Sequence, residues 1–265
     1  MRVAVIQFPA KPLKLDNLRL VLNVLDSIDA DLVVFPEYLM GIPENGLNRD
    51  FVLKQAEPID GEFTVKIAEK SHEKGLAVVF TLYLREGNAV YNAAALVDRG
   101  AIKALYRKIH LFDAFGYRES ILFAAGSQLA LAKVNDLTVG LAVCFDLRFP
   151  ELFRAMSLRG VELFAVPAAW YRGPYKLEQW RVLTSARAHE NTAYLVAANQ
   201  SGKLFTGHSL AVNPMGVIQS ELDEGEGVFM VDFDASLVKE SRETIPVLKL
   251  VKNKLYTDWY RDISA

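Results

Sequence analysis

The chain contains 265 residues with a formal net charge of −2 at pH 7, and 51% of the residues are hydrophobic. This charge balance gives no electrostatic reason to expect a nucleic acid or an anionic membrane as a partner. One cysteine and four histidines provide neither a disulfide framework nor a zinc-binding spacing, and no apolar stretch is long enough for a membrane span or a signal peptide. We therefore expect a cytoplasmic protein that needs no metal or cofactor.

The N-terminal half alternates between strand-like and helix-like segments. Short apolar runs rich in β-branched residues predict strands, and apolar residues three or four positions apart predict helices. Gly75 closes the second helix, and residues 98–100 form the turn of an antiparallel pair. The predicted elements are strand 3–8, helix 15–28, strand 31–35, helix 63–74, strand 76–84 and strands 88–96 and 101–106.

The C-terminal half continues the alternation and then adds hairpins. Its predicted elements are strand 137–143, helix 151–159, strand 163–166, helix 178–189 and strands 193–198, 210–213, 216–219 and 227–231. This order predicts an α/β protein in which helices cover mixed sheets in layers. No linker-like segment interrupts it, so we expect a single domain over residues 1–265, with residues from about 235 onward as a C-terminal extension.

Cys144, the only cysteine, lies between a predicted buried strand and a predicted helix. Pro150 stands at the first turn of that helix, where its fixed φ angle fits and its missing N–H costs nothing. Backbone N–H groups and the helix dipole at such a turn favour the thiolate, which is the nucleophilic form of the side chain. The alternative is that Cys144 is a small buried hydrophobic residue without a chemical role.

Two further ionisable residues, Glu37 and Lys108, also come just after predicted strands. The carboxyl ends of strands in open α/β sheets are where ligands and reactive groups collect. Taken singly, each has another interpretation, with Glu37 as a helix cap and Lys108 as an exposed partner of Asp113. Together with Cys144 they form a set of three ionisable residues that each follow a predicted strand.

Three motifs resemble those of the carbon–nitrogen hydrolase (nitrilase) superfamily in composition, order and approximate spacing. They are Phe35-Pro36-Glu37-Tyr38, Tyr106-Arg107-Lys108-Ile109-His110-Leu111-Phe112-Asp113 and Gly140-Leu141-Ala142-Val143-Cys144-Phe145-Asp146-Leu147-Arg148-Phe149-Pro150-Glu151-Leu152. The similarity runs from residue 3 to about residue 231. The resemblance implies a four-layer αββα sandwich that dimerises into an eight-layer assembly, and it implies a Glu–Lys–Cys catalytic triad.

The resemblance also assigns a role to each residue type. Glu37 would be the general base for the thiol, and Lys108 would place a positive charge beside the oxyanion. The backbone N–H of Phe145 would be the second oxyanion donor, and Glu119 matches a second glutamate that positions the lysine or the substrate. The implied reaction converts a small linear carboxamide to a carboxylic acid and ammonia through a thioester on Cys144.

The lysine motif resembles that of omega-amidase-type members, which act on amides with a carboxylate at the far end. Arg172 is the candidate clamp for such a carboxylate, and Trp170 is a candidate substrate contact in the same loop. The competing interpretation is a solvent-facing Arg172. The loop from Lys108 to Glu119 is shorter than in omega-amidases, which keeps neutral aliphatic amides as alternative substrates.

Other functions stay open on the sequence alone. The same triad hydrolyses nitriles, an amine that reaches the thioester would give acyl transfer, and a retired enzyme could serve as a non-catalytic oligomeric scaffold. A cysteine protease would need a histidine beside Cys144, and the local signatures of that class are absent. We expect His110 and His189 to make structural hydrogen bonds. We expect Arg148 to support the turn after Cys144 by pairing with acidic neighbours, and the alternative for Arg148 is a substrate contact.

We expect the chain to form a homodimer or a higher homo-oligomer. The apolar side chains that could supply the interface are Leu152, Phe153, Met156, Trp180 and Leu183 in two predicted helices, and Tyr256, Trp259 and Tyr260 in the tail. The alternative for the helix residues is that they face their own sheet.

Overall fold

Two six-stranded β-sheets lie face to face at the centre of the molecule. The computed structural model describes residues 1–263. The strands are β1 (Arg2–Gln7), β2 (Leu32–Val34), β3 (Ala77–Glu86), β4 (Ala89–Asp98), β5 (Ala101–Arg107), β6 (Asp113–Ala114), β7 (Tyr117–Arg118), β8 (Leu131–Val134), β9 (Leu137–Leu141), β10 (Leu163–Ala168), β11 (Tyr194–Asn199), β12 (Leu210–Val212), β13 (Ile218–Glu221) and β14 (Gly227–Asp232). The helices are α1 (Lys14–Ser27), α2 (Arg49–Gln55), α3 (Glu62–Lys74), α4 (Pro150–Ser157), α5 (Lys176–His189), α6 (Ala235–Thr244), α7 (Val247–Leu250) and α8 (Asn253–Ile263).

The two sheets have matching strand arrangements. The first has the order β14-β1-β2-β3-β4-β5, and the second has the order β13-β12-β11-β10-β9-β8. In each sheet three neighbouring strands are parallel, β1 to β3 in one and β9 to β11 in the other, and antiparallel strands flank them. Ligands bind beyond the carboxyl ends of such parallel strands, so this end of the sandwich is where a site is expected.

Side chains of β1 alternate between two hydrophobic cores. Val3 and Val5 belong to the core between the sheets, whereas Ala4 and Ile6 belong to the core under α1 and α3. Because both faces of the strand are buried, its sequence is continuously apolar rather than alternating. Helices α4 and α5 pack on the outer face of the second sheet. The predicted four-layer αββα sandwich is therefore confirmed.

Every predicted strand and helix is present, with ends within two residues of those expected. The sequence patterns missed β8, the β6–β7 hairpin, α2 and the C-terminal helices α6 to α8. Strand β8 lies at a sheet edge and is mostly half-buried, so its hydrophobic pattern is weak. Helix α2 has only seven residues, and it depends on Asn48, whose side chain caps it by accepting from the N–H of Phe51.

Four of the residues proposed for an oligomer interface lie in the chain's own core. Leu152, Phe153, Met156 and Trp180 are at most 5% exposed, because α4 and α5 turn these side chains onto the second sheet. The prediction that they provide an apolar surface is wrong, and Leu183 is partly buried against the same core. Dimerisation itself stays a prediction.

The C-terminal helices differ in how closely they pack. In α6, Val238 is buried in the core and Arg242 Nη2 donates to the carbonyl oxygen of Val161 (2.5 Å). Helices α7 and α8 contain no buried residue, and Trp259 and Tyr260 of α8 are more than half exposed. None of the helices within residues 1–263 is long and apolar enough to cross a membrane.

Candidate active site

Three strand ends bring the predicted catalytic residues to one end of the sandwich. Glu37 lies three residues after β2, Lys108 directly follows β5, and Cys144 lies three residues after β9. The backbone N–H of Glu37 donates to the carbonyl oxygen of Ala168 at the end of β10 (3.2 Å). Gln200 Nε2 donates to the carbonyl oxygen of Glu37 (2.5 Å), so main-chain contacts join the two sheets at this end.

A cluster of buried charges forms the floor of the site. Lys108 Nζ lies 3.0 Å from Glu37 Oε1 and 2.9 Å from Glu119 Oε2, and the three residues are at most 1% exposed. Glu119 Oε2 also accepts from the backbone N–H of Phe112 (2.7 Å). Asn92 Nδ2 donates to Glu37 Oε1 (2.7 Å) and to Glu119 Oε1 (2.8 Å). Glu37 Oε2 is buried and has no hydrogen-bond partner, so it is the open position of the cluster.

The electrostatics of the cluster follow from burial and from its two acids around one base. Burial raises the pKa of Glu37, and the charge of Glu119 raises it further, while Lys108 opposes the shift. Burial alone would lower the pKa of Lys108, but the Glu119 and Glu37 carboxylates together raise it well above its ordinary value. Lys108 is therefore a fixed cation at neutral pH, and Glu37 is a carboxylate with increased affinity for a proton.

Cys144 opens a short 3-10 turn that ends at Arg148, and its φ angle is +47°. This left-handed conformation costs a non-glycine residue about 1–2 kcal/mol, which the surrounding contacts must offset. Asp146 makes the main ones, because its Oδ2 accepts from the backbone N–H of Val143 and from the Tyr106 hydroxyl (both 2.8 Å). Its Oδ1 accepts from the backbone N–H of His110 (3.2 Å) and lies 2.7 Å from His110 Nδ1. Asp146 thus links the turn that begins at Cys144 to the segment that follows Lys108. The expected structural hydrogen bond of His110 is present.

The pKa of the Cys144 thiol is raised, contrary to the expectation of a stabilised thiolate. Burial raises its pKa well above the ordinary value, and the Glu37 carboxylate raises it further. Lys108 and a hydrogen bond from the backbone N–H of Ala169 act in the opposite direction but do not outweigh these effects. A thiol with a raised pKa needs a base to become the nucleophilic thiolate.

A cavity of about 340 Å³, open solvent included, leads to Cys144 and Lys108. Half of its lining residues are aromatic, and the lining includes three cations but no histidine. The residues that line it are Tyr38, Lys108, Phe112, Cys144, Phe145, Arg148, Ala169, Trp170, Tyr171 and Lys176. Phe145 and Trp170, the predicted substrate contacts, thus line the cavity, and no histidine of the kind that a thiol protease needs lines it.

Arg148 and Lys176 bring positive charge to the cavity without a carboxylate partner. Arg148 Nη2 donates to Gln179 Oε1 (2.7 Å), its guanidinium carbon lies 4.8 Å from the centre of the Trp170 ring, and its Nε is buried without a hydrogen-bond partner. Lys176 Nζ lies 3.6 Å from the centre of the Phe115 ring. Neither cation forms an ion pair within residues 1–263. The expectation that Arg148 pairs with acidic neighbours is therefore wrong.

Arg172 does not line this cavity. Its Nη1 lies 2.9 Å from Glu224 Oε2, and its Nε donates to the carbonyl oxygen of Gly202 (3.1 Å), with 37% of its side chain exposed. The loop that carries it turns Trp170 and Lys176 toward the cavity and Arg172 away from it. The structure thus offers no carboxylate clamp at Arg172.

The sequence patterns did not single out Asn92, Asp146 or Lys176. Asn92 lies inside strand β4 and Asp146 inside the cysteine motif, where each reads as part of an element or a turn. Lys176 is the first residue of α5, and the loop before it has a path that the sequence does not specify. No group of three or more His, Cys, Asp or Glu side chains in the described part of the chain is arranged to hold a metal ion.

Comparisons with known proteins agree with this geometry. The family model described as carbon–nitrogen hydrolase matches residues 2–243. A deaminated glutathione amidase from Escherichia coli O157:H7 is 36% identical over 223 residues, which cover 83% of this chain and 84% of that protein. An omega-amidase from Danio rerio is 28% identical over 97% of this chain and 96% of that protein.

Solved structures give the same result. A CN-hydrolase superfamily protein from Xanthomonas campestris, with an arsenic adduct in its active site, has a TM-score of 0.85 at 26% identity and covers 95% of this chain and 97% of its own. A mutant amidase from Nesterenkonia sp. AN1, which carries acrylamide added to its active-site cysteine, has a TM-score of 0.81 at 27% identity and covers 98% of this chain and 99% of its own. The chain described here belongs to the carbon–nitrogen hydrolase family and is an amidase-like enzyme of the nitrilase superfamily.

Proposed function

We propose that this enzyme hydrolyses a small linear carboxamide to a carboxylic acid and ammonia through a thioester on Cys144. The observation that carries the proposal is the state of Glu37. Its Oε1 is held by Lys108 and Asn92, whereas its Oε2 is buried without a partner, and its charge acts directly on the pKa of the Cys144 thiol. An unpartnered carboxylate oxygen whose charge acts on a thiol of raised pKa is an arrangement suited to general-base activation of a nucleophile.

In the first step the Cys144 sulfur attacks the amide carbon while its proton moves to Glu37 Oε2. The carbonyl π electrons move to the oxygen, which becomes an oxyanion. Lys108 has three N–H donors, and two of them are directed at Glu37 and Glu119, so one is left for the cavity that Lys108 lines. The N–H of Phe145, in the first turn after Cys144, is the second donor.

In the second step the oxyanion collapses and the carbon–nitrogen bond breaks. The leaving nitrogen takes the proton from Glu37 and departs as ammonia, which leaves the acyl group on Cys144. Glu37, again a carboxylate, then removes a proton from water, whose oxygen attacks the thioester. Cleavage of the carbon–sulfur bond returns the proton to Cys144 and releases the acid, so no proton is gained or lost by the site over the cycle.

The unpaired cations in the cavity indicate the substrate class. Arg148 and Lys176 face the same space as Cys144, and Arg148 Nε is a buried donor without an acceptor. A carboxylate at the far end of the substrate would supply an acceptor and neutralise part of this charge. We therefore place Arg148 and Lys176, instead of Arg172, as the residues that select amides with a terminal carboxylate.

Ammonia release from a matched pair of amides tests the proposal. Succinamate and butyramide have four carbons each and differ only in the terminal carboxylate, and Cys144→Ala serves as the inactive control. We expect succinamate to be the better substrate and Cys144→Ala to release no ammonia. Turnover by Cys144→Ala at the wild-type rate would overturn the cysteine mechanism, and equal kcat/KM for the two amides would overturn the carboxylate preference.

Mass spectrometry of the quenched enzyme tests the intermediate. Because the chain has a single cysteine, a hydroxylamine-sensitive acyl adduct on Cys144 identifies the thioester directly. The corresponding nitriles, 3-cyanopropionate and butyronitrile, separate an amidase from a nitrilase: faster ammonia release from the nitriles than from the amides would replace the proposed substrate. Added hydroxylamine that yields a hydroxamate at the expense of the acid would show that amines compete with water for the thioester.

A further inference from the structure

Asn92 contacts every charged residue of the buried cluster. Its side chain lies inside β4 and is 1% exposed. One N–H of its amide donates to Glu37 Oε1 at 2.7 Å and the other to Glu119 Oε1 at 2.8 Å. Its backbone carbonyl oxygen accepts from the N–H of Lys108 at 2.9 Å. A single residue thus spans the two acids and the base.

The orientation of the amide is fixed by these partners. The reverse orientation would direct Oδ1 at two carboxylate oxygens, which carry only lone pairs. In the observed orientation Oδ1 is buried without a hydrogen-bond partner. The side chain therefore donates one hydrogen bond to each carboxylate and leaves its own acceptor without a donor. This arrangement stabilises the two carboxylates at a cost to the stability of β4.

We infer that Asn92 is a positioning residue, which holds Oε1 of Glu37 and of Glu119 and so leaves Glu37 Oε2 as the oxygen that accepts the proton of Cys144. The inference rests on the proposed function, because it gives Asn92 its role through Glu37 as the general base. Asn92 does not touch the reacting atoms. It acts by fixing which carboxylate oxygen faces them.

The choice of a neutral donor has a chemical reason. The cluster already contains two carboxylates and one ammonium, and a second cation at position 92 would withdraw basicity from Glu37. An amide supplies two donors without adding a charge. Each hydrogen bond to a carboxylate favours its ionised form, so Asn92 lowers the pKa of Glu37 against the effect of burial. The pH at which Glu37 becomes a base therefore depends on Asn92.

The test is the pH profile of Cys144 alkylation by iodoacetamide, measured by mass spectrometry beside the profile of kcat/KM for succinamate. The single cysteine makes alkylation specific to the site and independent of any substrate. Asn92→Leu has a similar volume but no donor, and Asn92→Ser is a smaller variant that tests the same position. With each rate normalised to its plateau, we expect the midpoint of the acid limb to move up by about 1 pH unit in both variants, the effect of losing one hydrogen bond to a charged group.

Asn191→Leu is the matched control. Asn191 is also fully buried, it donates from Nδ2 to a backbone carbonyl oxygen, that of Arg187 (2.9 Å), and its Oδ1 likewise has no partner. Asn191→Leu should leave the midpoint unchanged. Unmoved midpoints in the Asn92 variants, or an equal shift in Asn191→Leu, would overturn the inference, as would failure of both Asn92 variants to fold while Asn191→Leu folds. Failure of the proposed function gives a different result: wild type would then release no ammonia from the amides, whereas the alkylation profiles would still show whether Asn92 shifts the midpoint.

Discussion

Replacing Arg148 with methionine is the sharpest test of how the cavity selects its substrate. Methionine retains an unbranched apolar side chain that can occupy the space over Trp170, where the guanidinium carbon now lies 4.8 Å from the ring centre. The substitution removes the charge and the buried Nε donor without an acceptor. It leaves Lys108, Glu37 and Cys144 untouched, so the chemical step should be preserved.

The magnitude follows from the contacts that a carboxylate would make. A hydrogen bond to a charged group contributes about 1.5–3 kcal/mol, and each 1.4 kcal/mol is a tenfold change in affinity. Arg148→Met should therefore lower kcat/KM for succinamate by about 10–100-fold, mostly through KM. For butyramide, which has no carboxylate, we expect a change of less than about threefold, as for the loss of an uncharged packing contact.

Initial rates of ammonia release from both amides, in wild type and variant, measure the effect. Arg172→Met is the matched control, because Arg172 is also an arginine beside the cavity-forming loop but pairs with Glu224 outside the cavity. It should leave both substrates unaffected. Equal losses on the two amides in Arg148→Met would refute the reasoning, and so would a selective loss in Arg172→Met.

Further expectations concern the pH profile, the cysteine turn and the assembly. The acid limb of kcat/KM should have its midpoint above the ordinary pKa of glutamate, since burial raises the pKa of Glu37 and activity is lost as pH falls through that value. Glu37→Gln should lower kcat by at least ~10²-fold, because it removes the proposed general base; an unchanged kcat would require another base. Burial lowers the pKa of Lys176, so KM for succinamate, but not for butyramide, should rise at alkaline pH below the ordinary lysine pKa. In Asp146→Asn one amide N–H would face donors that now bind the carboxylate. We therefore expect the free energy of unfolding to fall by at least ~2 kcal/mol and Tm to fall by roughly 4–8 °C in calorimetry. Light scattering at micromolar concentration should give the mass of a dimer or larger oligomer, and a monomer mass would refute that expectation.

The elements that the sequence predicts well are those whose burial is complete. Strand β1 is apolar from Val3 to Ile6, and the strand before Cys144 has only one polar side chain, Thr138, because both strands are largely buried on both faces. Their short length and β-branched residues therefore predict strands. The edge strand β8 and the short helix α2 lack that signal, because β8 is only partly buried and α2 has a single buried residue, Val52. The positions of Glu37, Lys108 and Cys144 could be predicted from the sequence, because each follows a predicted strand and lies within a distinctive motif.

What the sequence could not supply is the direction of side chains in loops and the balance of charges around them. Arg172 lies in the loop before α5 and Lys176 is the first residue of α5, and only the path of that loop decides that Lys176 lines the cavity while Arg172 pairs with Glu224. The partner of the apolar faces of α4 and α5 could not be predicted either, because helical spacing indicates an apolar face but not whether a sheet or a second subunit covers it.

The protonation state of Cys144 is a further case, and it bears on mechanism. A strand-to-helix turn favours a thiolate, but burial and the Glu37 carboxylate outweigh that effect and raise the pKa of the thiol. A permanently ionised cysteine would leave Glu37 without a proton to deliver to the leaving nitrogen. In the proposed mechanism, the step that generates the nucleophile also transfers to Glu37 the proton that ammonia needs, and Lys108 stabilises the negative charge as it moves from sulfur to the carbonyl oxygen. A thiol with a raised pKa therefore fits the proposed cycle, because it supplies that proton.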